Sequence, residues 1–441
     1  MSRIAPLSGF PELLPGQRIV EQRVLDRLAH TFELYGFSSI QTRAVEPMEQ
    51  LLRKGETSKE VYVLRRLQAD ESDSGDSGLG LHFDLTVPLA RYVLENAGRL
   101  QFPFRRYQIQ PCWRGERPQE GRFREFWQAD VDVVDRDDLS GHYEVELPLL
   151  IGDALRSLPI PRMRMHVNNR KLSQGFYRGL GIADPMAAIR AVDKLDKIGP
   201  RGVADLLAET TGADDAQVAA CLALAEIHSE DESFVDRVRA LGVSDPLLDE
   251  GLSELGAVVT AAAEDAPGLV VADLRIARGL DYYTGTVYET YMDGYANLGS
   301  VCSGGRYDDL ASEGRNRFPG VGLSIGVSRI LVPLLNEGRL APTREVPTCV
   351  LVALPNEERR RDCDRIARAL RSRGIAAEVA PAAQKYGKQI RFAERRGIPF
   401  VWFPGDAEGG DEVRDIRSGE QSAADGAKWS PPDADLRPRI A

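Results

Sequence analysis

Residues 114 to 132 read RGERPQEGRFREFWQADVD, and the reading of this stretch decides the fold. Gly115, Pro118 and Gly121 demand a loop. On either side, YQIQPCWR (107–114) and FWQADVDVV (126–134) alternate apolar with polar residues, as two half-buried strands do. The expectation is an antiparallel pair joined by a basic loop. Arg114, Arg117, Arg122 and Arg124 gather on that loop beside Glu116 and Glu125. A guanidinium is permanently charged and offers a planar fork of donors that matches phosphate or carboxylate, so four on one loop point to a polyphosphate ligand.

A second stretch, RGLDYYTGTVYE at 278–289, places Arg278 four and five residues before Tyr282 and Tyr283 in a run of strand formers. Taken singly, such tyrosines are more often sheet aromatics and such an arginine a solvated strand end. Together with the basic loop, the set suits a small polar molecule, because each tyrosine adds an apolar ring and a hydroxyl that donates or accepts.

Outward from these stretches, residues 17–35 put Val20, Val24, Leu28, Phe32 and Tyr35 at helical spacing before Gly36, a C-cap glycine. The strand FSSIQT follows. Residues 61–67 and 79–87 have strand character, and the acidic DESDSGDSG between them reads as a mobile loop. In HFDLTVPLARY, Asp84 and Thr86 are expected on one side of a strand, where carboxylate and hydroxyl could hold an ammonium; the plainer alternative is a strand-end turn with a solvated Asp84. From about Leu150 the pattern is helical apart from the strand RMRMHVNN, up to about Ala266. Beyond Pro347, strand, helix, strand, helix, strand predicts a small α/β domain. The segment DEVRDIRSGEQ then suggests a hairpin, and the tail SPPDADLRPRIA is expected to fray.

The 441 residues allow two or three domains, and 43% hydrophobic residues is ordinary for a globular protein. No signal-like run opens the chain and no stretch approaches the length of a membrane span, so a cytoplasmic address is expected. Cys112, Cys221, Cys302, Cys349 and Cys363 are scattered and never spaced as CxxC, and the histidines do not cluster; neither disulfides nor a bound metal is indicated. HExxH, Walker A and GxGxxG patterns are absent. The net charge of −11 argues against a nucleic-acid partner, but residues 344–403 carry thirteen Lys plus Arg against seven Asp plus Glu. A basic C-terminal module therefore stands inside an acidic chain.

The stretch WRGERPQEGRFREFWQADVD resembles motif 2 of class II aminoacyl-tRNA synthetases, and RGLDYYTG resembles the signature peculiar to histidyl-tRNA synthetases. Two further stretches, VCSGGRYDDL (301–310) and GVGLSIGVSRIL (320–331), are similar to the second histidine signature and motif 3 of that family, the latter carrying Arg329. The resemblance implies an α+β catalytic domain on a mixed, mainly antiparallel sheet, the class II synthetase fold, at 1–160 and 267–335. It further implies a mainly helical insertion domain at 161–266 that contacts the acceptor arm, an α/β anticodon-binding domain at 345–421, and a flexible tail at 422–441. The helix and strand at 17–42 would be motif 1, which builds a homodimer interface, although Arg43 stands where the family has proline. The basic residues Arg359, Arg360, Arg368, Arg371, Lys385, Lys388 and Arg391, which alone read as a solvated face, would then bind tRNA(His).

The chemistry so implied is attack of the L-histidine carboxylate on the α-phosphate of ATP, with Mg²⁺ carried by the nucleotide, followed by transfer to the 3′ end of tRNA(His). Arg114 would grip the α-phosphate and the substrate carboxylate, and Arg278 would meet the α-phosphate from the opposite side; these are the catalytic pair. Phe126 would stack on adenine, Glu116 would fix the base or the tRNA end, Arg329 would hold the γ-phosphate and Arg122 the polyphosphate tail. The imidazole needs one acceptor and one donor, expected from Asp132 and Tyr283, with Tyr282 lining the wall. Asp84, Thr86 and Gln128 would hold the α-amino group. The alternative function is a non-catalytic, histidine-sensing regulatory subunit of ATP phosphoribosyltransferase; such paralogues typically lack the C-terminal domain and degrade the motif arginines.

Overall fold

The alternation flanking the basic loop produces a hairpin of two ten-residue strands, Phe104–Trp113 and Glu125–Val134, paired antiparallel with Gln108 opposite Asp130. The computed structural model describes residues 5–52, 60–67, 78–277, 282–406 and 409–441. The chain divides into two compact units, Met1–Pro11 with Leu25–Pro333, and Glu12–Val24 with Leu334–Ala441.

The strands of the first unit, in chain order, are β1 (Ser38–Ser39), β2 (Val45–Pro47), β3 (Leu79–Leu81), β4 (Phe104–Trp113), β5 (Glu125–Val134), β6 (Met163–Asn169), β7 (His228–Ser229), β8 (Val270–Asp273), β9 (Thr286–Met292), β10 (Cys302–Tyr307) and β11 (Gly320–Gly326). β2 and β3 form a small ribbon, and the others make one sheet in the order β1-β4-β5-β11-β10-β9-β6-β8-β7. Its neighbours run antiparallel except β1 with β4 and β6 with β8. This is the mixed, mainly antiparallel sheet that the resemblance implied.

Four local outcomes differ from the sequence expectations or refine them. β5 is not half-buried: Gln128–Val134 are buried on both faces. Its odd residues, Ala129, Val131 and Val133, are apolar core, while the even ones, Gln128, Asp130 and Asp132, are buried among polar partners. The strand expected over 79–87 stops at Leu81, and a helix starts at Thr86. Asp84 therefore does not share a strand face with Thr86; its Oδ1 accepts the Val87 N–H at 3.1 Å, which satisfies a first-turn donor of that helix. The helix expected over 17–35 runs Pro15–Leu34, and Gly36, at φ 78°, closes it as Gly36 N–H donates to Glu33 O and Phe37 N–H to Phe32 O. Finally, the segment 161–266 opens on β6, which belongs to the main sheet between β9 and β8. The helical part begins at Arg170, and the division of the chain leaves all of it within the first unit.

The second unit holds β12 (Val350–Val352), β13 (Ala377–Val379), β14 (Phe400–Phe403), β15 (Glu412–Asp415) and β16 (Gln421–Ala423), in the order β13-β12-β14-β15-β16. The helices Arg360–Ser372 and Tyr386–Arg395 connect the three parallel strands, and Leu351, Leu370, Val401 and Trp402 fill the core. Residues 422–441, expected to be a flexible tail, are instead tied down. The buried Arg344 guanidinium donates to Asp435 O at 2.9 Å and Leu436 O at 3.3 Å, Arg417 clasps the Asp435 carboxylate, and Thr343 N–H donates to Arg439 O. A buried guanidinium without acceptors is costly, and the tail backbone supplies them; composition carries no trace of such a long-range need. All five cysteines are buried, and none is in a disulfide. Among the described residues no helix is long and apolar enough to cross a membrane.

Candidate active site

The β4–β5 hairpin projects its loop from the sheet so that Arg114, the residue after β4, starts the site. Its Nε donates to Phe83 O at 3.0 Å, and its guanidinium lies 5.1 Å from the centre of the Phe126 ring, a cation–π distance that orients both groups. Glu116 stands between two arginines, 3.8 Å from Arg114 and 3.5 Å from Arg122. The loop turns back at Gly121, φ 69°, within the Gln119–Arg122 bridge. The Gly121 carbonyl accepts from Arg329 Nε at 3.0 Å, and Ser300 O accepts from Arg329 Nη1 at 2.6 Å. Arg114, Glu116, Arg122, Phe126 and Arg329 thus line one cleft, which continues over Gln128, Ser303 and Ser324. Three guanidinia around an aromatic platform can clamp a polyphosphate and stack a planar base.

Beneath this cleft lies a buried polar row. Arg106, Gln108 and Gln110 on β4 face Asp132, Asp130 and Gln128 on β5 in register, and all six side chains are buried. Asp132, expected to accept from an imidazole nitrogen, has one oxygen in an ion pair with Arg106 Nη2 at 2.7 Å and accepts the Tyr307 O–H at 2.7 Å with the other. One partner on each oxygen fixes the carboxylate and leaves it further acceptor capacity. The neighbouring Asp130 carboxyl is pushed up to about 7, first by burial and further by Asp132 and Asp84, against the pull of Arg106. Ser324 on β11 donates its hydroxyl to Asp130, and Gln128 Nε2 donates to that same hydroxyl oxygen at 2.7 Å. Gln128 Oε1 is buried with no hydrogen-bond partner.

Tyr282 and Tyr283 precede β9, their ring centres 4.2 Å apart. The Tyr283 ring packs on Gly305, where an added Cβ would come within 2.9 Å of it, and Gly322 leaves room for Asp132, whose Oδ1 would lie 2.0 Å from a Cβ there. Burial, with Tyr282 and Asp132 adding to it, holds the Tyr283 hydroxyl well above its ordinary pKa, so it is a firm donor. Arg278 lies outside the described residues, as do residues 70–77 of the expected mobile loop. Among the described residues no group of three or more His, Cys, Asp or Glu is placed to hold a metal ion.

A sequence model described as histidyl-tRNA synthetase matches residues 9–330, which span the hairpin, the tyrosine pair and Arg329. The chain belongs to the histidyl-tRNA synthetase family. A second model, an anticodon-binding domain, matches residues 348–427. A histidine–tRNA ligase of Cutibacterium acnes is 59% identical over 100% of this chain and 99% of its own length, and one of Micrococcus luteus is 58% identical over 100% and 99%. The crystal structure of histidyl-tRNA synthetase from Nostoc sp. PCC 7120 is 33% identical, with a TM-score of 0.84 over 96% of this chain and 97% of that one.

Within this synthetase, sequence reasoning passed over Arg106, Asp130, Tyr307 and Ser324. A signal for two of them was present: R-x-Q-x-Q at 106–110 and Q-x-D-x-D at 128–132 are polar rows of period two on strands expected to pair. Matching the rows required the register, which the loop length alone did not supply.

Proposed function

We propose that the cleft binds ATP, as its Mg²⁺ complex, beside L-histidine, forms histidyl-adenylate with release of pyrophosphate, and passes histidine to the 3′ end of tRNA(His). The observation that carries this reading is the convergence of Arg114, Arg122, Arg329 and Phe126 on one cleft next to the buried polar row of β4 and β5. Phe126 stacks the adenine, Arg329 and Arg122 take the outer phosphates, and Arg114 holds the α-phosphate and substrate carboxylate. Arg278 is assigned to the α-phosphate by its match to the histidine signature. Fixed cations at the α-phosphate lower the barrier because they are oriented before charge develops there. The Tyr283 hydroxyl serves one imidazole nitrogen and the Asp132 carboxylate the other. Asp84, Thr86 and Gln128 hold the α-amino group.

The second unit, with its exposed lysines and arginines on the helices 360–372 and 386–395, binds the anticodon end of the tRNA. Retention of this unit disfavours the regulatory-subunit alternative. A homodimer is assigned on the resemblance of residues 17–42 to motif 1, and a cytoplasmic address on the family reading.

The test is amino-acid-dependent ATP–pyrophosphate exchange on the purified protein. Exchange with histidine, and with none of a panel of other amino acids, is expected, together with loss in Arg278→Ala. Folded protein that binds histidine without exchange would sink the enzymatic reading.

A further inference from the structure

The buried chain Gln128, Ser324, Asp130 carries a direction. A serine hydroxyl has one hydrogen, and an ionised carboxylate has none. The Ser324 hydrogen therefore goes to Asp130 Oδ1, and the Ser324 oxygen is left to accept from Gln128 Nε2. The Gln128 amide is thereby held with its nitrogen towards Ser324, and its other end, Oε1, is the buried acceptor without a partner. Gln128 lines the cleft, and an acceptor left unpartnered on a residue that lines a ligand cleft calls for a donor from the ligand. The substrate's α-ammonium is such a donor.

We infer that Asp130, acting through Ser324, is a positioning residue that sets the Gln128 amide with its carbonyl oxygen towards the α-ammonium of the amino-acid substrate. This rests on the reading of Gln128 as an ammonium-binding residue. Were Asp130 protonated, its own hydrogen could go to Ser324, and the Ser324 hydrogen could go to Gln128. The amide would then turn over and present its NH₂ to a cation. Asp130 is faced by Arg106 from β4, Asp132 along β5, Ser324 from β11, Cys302 from β10 and Asp84 ahead of the helix at 86–96. Burial and the two neighbouring carboxylates outweigh the single guanidinium, which puts its midpoint at about 7. Affinity for the amino acid should accordingly weaken as pH falls through about 7.

The experiment is KM for histidine and kcat in pyrophosphate exchange by the full chain. Ser324→Ala is expected to raise KM by about tenfold, the scale of one hydrogen bond to a charged group, with a much smaller fall in kcat. Ser324→Thr, which keeps the hydroxyl, should restore it. Gln128→Glu presents an acceptor in either orientation, so Ser324→Ala should add nothing in that background. Asp130→Asn should remove the component of the KM–pH profile centred near 7, while the substrate's own imidazole titration persists in both proteins. An equal Ser324→Ala effect in both backgrounds, a fall in kcat with KM unmoved, or an unaltered pH profile in Asp130→Asn would overturn the inference. Gln128→Ala separates the two levels. If it leaves KM unchanged, the ammonium-binding reading falls and takes the relay with it; if it raises KM while Ser324→Ala is silent, only the relay falls.

Discussion

In the cleft, Arg329 is fastened to two backbone carbonyls and Arg114 to one, so each guanidinium is aimed before any ligand arrives. On the helix Tyr386–Arg395 of the second unit, Lys388 and Arg391 are exposed beside Phe392, and their side chains are neither hydrogen-bonded nor ion-paired to any described residue. The same charge is used in two ways. A cation that must meet charge developing at one phosphorus atom acts through its fixed position. A cation that neutralises a polyanion acts through release of counterions and tolerates freedom. The difference shows why a count of basic residues says little about catalysis, and why the number of groups holding each one says much.

The largest effect that would test this contrast is at Arg329. Arg329→Ala should cut the exchange rate by about 10²-fold or more, and Arg329→Lys should recover little of it, because an ammonium cannot reproduce the two-point fork. A lysine variant with nearly full activity would show that charge alone suffices and would erase the distinction. Next comes Arg344, a held arginine with no ligand role. Its replacement by alanine removes the donors that tie Asp435 and Leu436 to residues 346–347 and should destabilise the second unit by about 2 kcal/mol. Hydrogen exchange at β12 and β14 should report the loss while pyrophosphate exchange continues. The smallest effect belongs to the free cations: replacing both Lys388 and Arg391 with alanine should weaken tRNA binding by about tenfold at low salt. It should also flatten the salt dependence by roughly one unit of slope for each phosphate no longer neutralised. An unchanged slope would place the tRNA elsewhere.

Much of this architecture was legible because local chemistry and fold agree. The glycines and proline at 115, 118 and 121 produced the expected loop, and the strand–helix alternation beyond Pro347 produced the small α/β sheet. The misreadings fall where distant groups decide. The strand character of 79–87 puts Asp84 on a strand, but its carboxylate is claimed by an amide three residues on, in the first turn of a helix. The tail is proline-rich and reads as frayed, yet its carbonyls answer the buried Arg344. The partners of Asp132 also come from other strands, an ion pair with Arg106 on β4 and the Tyr307 hydroxyl on β10. Roles that depend on a partner across the sheet become readable only once the register is known.

Gly305 and Gly322 have a further consequence. Where they sit, Tyr283 rests on bare main chain and Asp132 occupies the space a methyl group would need. Under these two side chains, which the proposed function assigns to the histidine pocket, lies a peptide ribbon whose height is set by the spacing between strands. Side chains that rotate can blur the depth of a binding pocket, whereas a floor of paired backbone works as a fixed gauge, against which one extra carbon in the substrate would be felt.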